Sequence, residues 1–171
     1  MRYLHLLRHA KSSWDDPDLA DGDRPLAKRG RRDALRVAAR VRSMHVGIDL
    51  VLCSSSLRTR ETLRPLREAL RLDDAHCLIE DDLYAAEESE LLGRLHRVPD
   101  DIGSVMVIGH NPGLQELALR LCGEAGGEIP RRIKEKLPTA ALVVLRTTRA
   151  WGALGPGSAE PVDLLLPRDL H

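Results

Sequence analysis

The sequence predicts a three-layer α/β/α sandwich with a mostly parallel central sheet. Three observations predict it. Short apolar runs of strand length alternate with segments that are apolar at helical spacing, the order that builds parallel sheets with helices on both faces. The hydrophobic fraction is 43%, near the globular norm. The length of 171 residues suits one domain over 1–171 with a sizeable core. No internal repeat or linker interrupts it.

Residues 3–7 form an apolar run that reads as a buried first strand. Residues 11–25 are rich in Asp, Pro and Gly, lack period, and read as a loop. Over 27–44, Ala34, Leu35, Ala38, Val41 and Met44 give a helical stripe in which Gly30 is a mild cost. Residues 49–53 read as a second strand running into Ser54-Ser55-Ser56, good N-caps for a helix over 57–70 that Pro65 should kink or split. A third strand over 77–79 precedes an acidic loop and a short helix over 88–96. Residues 104–108 give the clearest buried strand. After it, Gly109-His110-Asn111-Pro112 opens a helix with Leu114, Leu117, Ala118 and Leu121 on one face, Asn111 as its cap and Pro112 in its first turn. Beyond Cys122 the chain is Gly-rich, and 140–145 and 162–166 read as two late strands.

Composition excludes several function classes. Lys plus Arg (26) balance Asp plus Glu (26), so bulk charge does not hold nucleic acid. With no Phe, two Trp and two Tyr, a base-stacking platform is hard to build. No stretch approaches the ~20 apolar residues of a spanning helix, and the N-terminus does not read as a signal peptide, so no membrane role is expected. Cys53, Cys77 and Cys122 are too few and too scattered for a disulfide framework, which favours a reducing, cytoplasmic setting. Charge is uneven along the chain. Arg24 to Arg42 holds eight basic residues and one acid, whereas Glu80 to Glu90 holds six acids and no base. Two solvated faces account for this, or the basic helix docks an acidic partner.

Ligands of open parallel sheets bind at the carboxyl ends of strands. Arg8-His9 ends the first strand, Ser54 to Arg58 follows the second, and Gly109-His110 ends the strongest. If these strands are parallel neighbours, two histidines and two arginines converge on one rim. A neutral imidazole is a competent nucleophile near pH 7. Phosphoryl transfer spreads charge over three oxygens, which guanidinium forks bind bidentately. A protonated second histidine can donate to another oxygen. Arg58, beside a helix N-terminus, is placed for an anion, whereas Arg60 reads as a surface residue. Lys11 and Arg24 reach toward substrate or pair with the Asp15–Asp23 cluster. His5 and His9 fall on one strand face, but no third metal ligand has sensible spacing, so neither metal nor cofactor is expected.

The stretches 7–14 (Leu-Arg-His-Ala-Lys-Ser-Ser-Trp), 23–30 (Asp-Arg-Pro-Leu-Ala-Lys-Arg-Gly), 54–62 (Ser-Ser-Ser-Leu-Arg-Thr-Arg-Glu-Thr), 82–84 (Asp-Leu-Tyr), 107–113 (Val-Ile-Gly-His-Asn-Pro-Gly) and 137–140 (Leu-Pro-Thr-Ala) stand in order along most of the chain. Together they resemble the histidine phosphatase superfamily, whose fold is phosphoglycerate mutase-like, and within it the small bacterial phosphohistidine phosphatases. Arg8-His9-Ala10 stands where the superfamily signature is Arg-His-Gly. The resemblance implies His9 as the transiently phosphorylated nucleophile, Arg8 and Arg58 as phosphoryl clamps, and His110 completing the pocket, with Lys11 a further substrate-binding candidate. In the mutase-like branch the general acid falls in the region matching Glu80 to Tyr84, which makes Asp81 the nearest candidate. The acid-phosphatase branch has Asp after its second histidine, where this chain has Asn111. The expected function is a metal-independent phosphatase acting on phosphohistidine in a protein such as a histidine-phosphotransfer domain. The alternatives are a phosphatase for a small phosphomonoester or nucleotide, and a non-catalytic phosphate-binding or docking module.

Overall fold

In the computed structural model, which describes residues 1–170, the chain runs β1 (Arg2–Arg8), α1 (Lys28–Ser43), β2 (Leu50–Ser54), α2 (Leu57–Leu70), β3 (Cys77–Glu80), α3 (Glu88–His96), β4 (Ser104–Gly109), α4 (Gly113–Cys122), α5 (Glu128–Glu135), β5 (Leu142–Thr147) and β6 (Glu160–Leu165). The six strands form one sheet in the order β3-β2-β4-β1-β5-β6. The first four are mutually parallel, and β5 and β6 run antiparallel at one edge. This is the mostly parallel α/β fold that the sequence predicts.

Alternation along the central strands feeds two cores. Leu4, Leu6, Val105 and Val107 face Leu91 and Leu95 of α3, Leu117 and Leu121 of α4, and Ile133 of α5. Leu7, Val51, Met106 and Ile108 face Val37 and Val41 of α1 and Leu63 and Leu66 of α2. These side chains are all but fully buried, each contributing ~1.5–3 kcal/mol against leaving it in water. Cys53, Cys77 and Cys122 are buried and free.

The structure departs from the sequence reading in several places. The buried stripe of α1 is Ala34, Val37, Ala38 and Val41, at i, i+3, i+4 and i+7; Leu35 lies about a sixth of a turn beyond the edge of that stripe and is 61% exposed. Pro65 does not split its helix, for α2 is continuous from Leu57 to Leu70. Asn111 is not the cap of α4. Pro112 occupies the N-cap position, while Asn111 Nδ2 donates to Leu137 O at 2.9 Å and Gln115 Oε1 at 3.2 Å. The Gly-rich stretch holds α5, hidden in the sequence because Gly126-Gly127 and Pro130 punctuate it and Ile133 is its one buried residue. Ala140, expected at the start of a strand, instead adopts φ +61° in the turn before β5.

Gly30 is a requirement, not a mild cost. A Cβ there would lie 2.1 Å from Lys11 O and 2.9 Å from the Lys11 backbone C and N. The first turn of α1 therefore sits directly on the segment that follows β1.

Candidate active site

Sheet register sets the centre of the site. Arg8 of β1 is paired with Gly109 of β4, and Cys53 of β2 with Ile108. His9 and His110 each follow a paired residue at adjacent strand ends, and His9 N donates to Gly109 O at 3.0 Å. Their rings lie 5.2 Å apart, tilted by 55°. Ser56 caps α2, accepting from Thr59 N, so Arg58 in the first turn reaches over the rim with its Nη2 3.5 Å from His110 Nδ1. Arg8 Nη1 donates to Leu137 O at 3.0 Å, while its Nε is buried without a partner among the described residues. The structure thus gathers His9, His110, Arg8 and Arg58 at one end of three parallel strands.

Hydrogen bonds assign both imidazole tautomers. His9 Nδ1 lies 2.7 Å from Ala10 O, which can only accept, so Nδ1 carries the proton and Nε2 the lone pair. Burial pushes the His9 pKa down to about 3; the Ala10 carbonyl opposes this, and His110, Arg58 and Arg8 reinforce it. The ring is therefore a neutral base at physiological pH. At His110, Nδ1 accepts from Arg58 and Nε2 donates to the buried Ser54 Oγ at 2.8 Å. Burial first, then Arg58, lowers its pKa to about 4. The sequence reading expects a protonated second histidine. The structure holds it neutral, because a ring out of water beside a guanidinium is a poor place for a further positive charge.

The turn carrying His9 is pinned from three sides. Ala10 N donates to Thr62 Oγ1 at 3.0 Å, and that hydroxyl donates to Arg58 O at 2.7 Å. Ala140 N donates to His9 O at 3.0 Å, and Ala27 N to Lys11 O at 2.8 Å. Nucleophile and clamp are thereby both tied to α2 through Thr62.

Two site residues escape the sequence reading. Asp21, in a short 3-10 turn of the first loop, accepts on Oδ2 from Arg58 Nη2 at 3.0 Å and from the Tyr84 hydroxyl, and on Oδ1 from Arg24 Nη1 at 3.1 Å. Its backbone carbonyl accepts from Arg58 Nη1 at 2.7 Å. The Tyr84 hydrogen bond, then Arg58 and Arg24, hold its pKa down to about 2 against a modest desolvation penalty. Tyr84 stands edge-on to His110 with ring centres 5.5 Å apart. Nothing local separates Asp21 from Asp15, Asp16, Asp18 and Asp23. Tyr84 falls inside a quoted motif, the one signal that marks it.

The other candidates lie outside this cluster. Asp81 begins an exposed 3-10 turn, and its carboxylate makes no hydrogen bond or ion pair among the described residues. Its neighbour Glu80 is held by Arg94 at 2.8–3.0 Å. The Lys11 side chain is half-buried and likewise unpaired among the described residues. Arg24 takes the ion pair with Asp21 and also donates to Ser12 Oγ at 2.6 Å; Arg60 is exposed. His5 is buried in the core of the sheet, not at the rim. Among the described residues no three of His, Cys, Asp and Glu are placed to hold a metal ion. No helix of the described residues is long and apolar enough to cross a membrane.

A neutral imidazole with a free Nε2 lone pair, flanked by two guanidinium groups with donors to offer, can attack an electrophile that carries several anionic oxygens. Comparison with known proteins points the same way. Residues 4–90 match the family model of the histidine phosphatase superfamily (branch 1). An uncharacterized protein of Mycobacterium tuberculosis is 37% identical over 164 residues, spanning 95% of this chain and 100% of that one. Among solved structures, a candidate phosphohistidine phosphatase SixA from Nakamurella multipartitia superposes with a TM-score of 0.84 at 29% identity, covering 97% of this chain and 96% of that one. A candidate SixA from Agrobacterium tumefaciens gives 0.82 at 27% identity, covering 97% and 98%.

Proposed function

The chain belongs to the histidine phosphatase superfamily, and from that premise we propose that it is a phosphatase that works through phosphorylated His9 and takes its phosphoryl group from phosphohistidine on a protein, such as a histidine-phosphotransfer domain. In this reading Arg58 and the unpartnered Nε of Arg8 bind the phosphoryl oxygens. His9 Nε2 attacks phosphorus as the P–N bond to the substrate imidazole breaks, and the departing ring takes the bonding pair. Water then attacks phospho-His9, releasing inorganic phosphate and returning the neutral imidazole. Charge-assisted donors serve the transition state because charge spreads over the equatorial oxygens.

The observation that carries the substrate choice is the state of the carboxylate in the cluster. Asp21 accepts from three side-chain donors and is held near a pKa of 2, so it has no proton to give. An alkoxide leaving group needs a proton; an imidazole already protonated on its second nitrogen does not. The similarity to candidate phosphohistidine phosphatases supports the same choice.

A second reading rests on Asp81, whose unengaged carboxylate follows β3, the strand beside β2. There it would protonate the leaving oxygen of a small phosphomonoester. The two readings separate on substrate. A histidine-phosphotransfer domain phosphorylated with phosphoramidate should lose its label faster per unit enzyme than an alkyl ester such as glycerol 2-phosphate, whose leaving alkoxide needs a proton, is hydrolysed. Robust ester turnover with the phosphoprotein untouched overturns the phosphohistidine reading, and a ~10²–10⁴-fold loss of that turnover in Asp81→Asn would assign the acid.

A further inference from the structure

A cleft of about 470 Å³ is lined by none of the residues of the catalytic cluster. It lies between α1, α5 and the C-terminal 3-10 turn (Pro167–Asp169). Its cations are Arg29, Arg32 and Arg36 from one side of α1, Arg132 and Lys136 at the end of α5, and Arg168; Pro138 and Leu166 give it an apolar floor. Two acids line it, and both are engaged. Asp33 lies 3.8 Å from Arg36, and Glu135 lies 2.6 Å from Arg131. Arg132 is shared between Glu128 at 3.8 Å and Asp169 at 3.5 Å. Arg29, Arg32 and Lys136 have no acidic partner among the described residues, and all three are exposed.

The cleft adjoins the site through covalent and hydrogen-bonded neighbours. Lys136, Pro138 and Thr139 line it and belong to the strap 136–140. That strap takes a hydrogen bond from Arg8 at Leu137 O and gives one to His9 O from Ala140 N. On the opposite wall, the first turn of α1, which carries Arg29, rests through Gly30 on Lys11, two residues after His9.

We propose that this cleft docks an acidic face of the protein that carries the substrate phosphohistidine; the proposal rests on the protein-substrate reading above. Unpaired cations of one sign, exposed and spread over separate segments beside a reactive centre, steer and orient a complementary anionic surface. A small polyanion would call instead for buried donors converging on one point, and the free cations here are exposed. The apolar floor gives the docked surface something to cover.

The test is R29E/R32E/K136E, whose three sites are exposed and unpaired, assayed on two substrates. On an acidic histidine-phosphotransfer domain phosphorylated with phosphoramidate, kcat/KM should fall at least about tenfold, chiefly through KM, and its dependence on salt should flatten or reverse. Hydrolysis of free phosphohistidine and the melting temperature should stay as in the wild type, and R29Q/R32Q/K136Q should fall between the two. Unchanged turnover of the phosphoprotein overturns the docking proposal alone, as does an equal loss on free phosphohistidine. Wild type inactive on the phosphoprotein but active on free phosphohistidine overturns the protein-substrate reading, and the docking proposal with it.

Discussion

Replacing Gly30 by alanine sets two physical effects against each other. Helix propensity alone favours alanine by ~1 kcal/mol at an interior position. The structure opposes it, because the new Cβ would stand 2.1 Å from Lys11 O, with the Lys11 backbone C and N at 2.9 Å. A carbon and a carbonyl oxygen need about 3 Å, so roughly 1 Å must open between helix and turn, and no flexible side-chain end is there to give way. Overpacking costs ~1–3 kcal/mol, and the upper part of that range applies where backbone must move; less the propensity gain, Gly30→Ala is ~1–2 kcal/mol less stable. For a chain of this size that lowers Tm by roughly 2–8 °C. The displaced turn carries the Lys11 carbonyl that accepts from Ala27 N, the Ala10 N–H seated on Thr62, and His9 itself. A shift of roughly 1 Å in a nucleophile costs on the order of 10²-fold in rate. Thermal melts and the hydrolysis of free phosphohistidine read both effects. A variant that melts at or above the wild type and keeps full activity would show that the propensity term wins and that the contact with Lys11 is not tight.

Further consequences follow from single residues. His5 is buried with neither ring nitrogen in hydrogen-bonding geometry among the described residues, and burial holds its pKa down to about 4, the Val105 backbone opposing this only in part. Its neutral folded form means that the unfolded chain takes up the proton first. Stability is therefore complete above ~6.5 and is lost as pH falls from there toward 4, by at most ~3 kcal/mol for this one group. Melts between neutral pH and pH 5 should show His5→Met gaining on the wild type as acid is added; parallel curves would refute the assignment. Thr62→Val keeps the shape but strands the buried Ala10 N–H, which should cost ~1–3 kcal/mol in urea unfolding and lower activity with it; an unchanged midpoint would show that this bond is dispensable. Asp21→Asn removes an acceptor from Arg58 on a carboxylate whose side chain is 52% exposed, so screening limits the loss to ~1 kcal/mol and the fall in kcat/KM to less than about tenfold. A fall of ~10² or more would mark Asp21 as a proton donor and contradict its positioning role.

The legible part of this protein was whatever a residue announces through its own neighbours. Continuous apolar runs ending in Arg8-His9 and Gly109-His110 mark strands, and parallel topology then makes those two ends adjacent. Contacts made by distant residues were not legible. Gly30 looks like a defect in a helix until Lys11 is seen beneath it. Asp21 is one of five aspartates in an aperiodic loop, and it enters the site because that loop folds back over Arg58. The protonation state of His110 is not legible in the sequence, because burial and the Arg58 guanidinium are tertiary facts. The helix α5 is not legible either, because its single buried side chain, Ile133, sets no period.

The central claim is that His9 attacks through Nε2, its Nδ1 being committed to the Ala10 carbonyl. Brief reaction of the protein with phosphoramidate or its phosphoprotein substrate, quenched in base where phosphohistidine survives, can be read by ³¹P NMR and by mass spectrometry of the peptide containing His9. A phosphoryl group on Nε2 of His9, absent from His9→Ala and discharged by water on standing, is the predicted result. Phosphate on Nδ1, phosphate on another residue, or undiminished turnover by His9→Ala would contradict it.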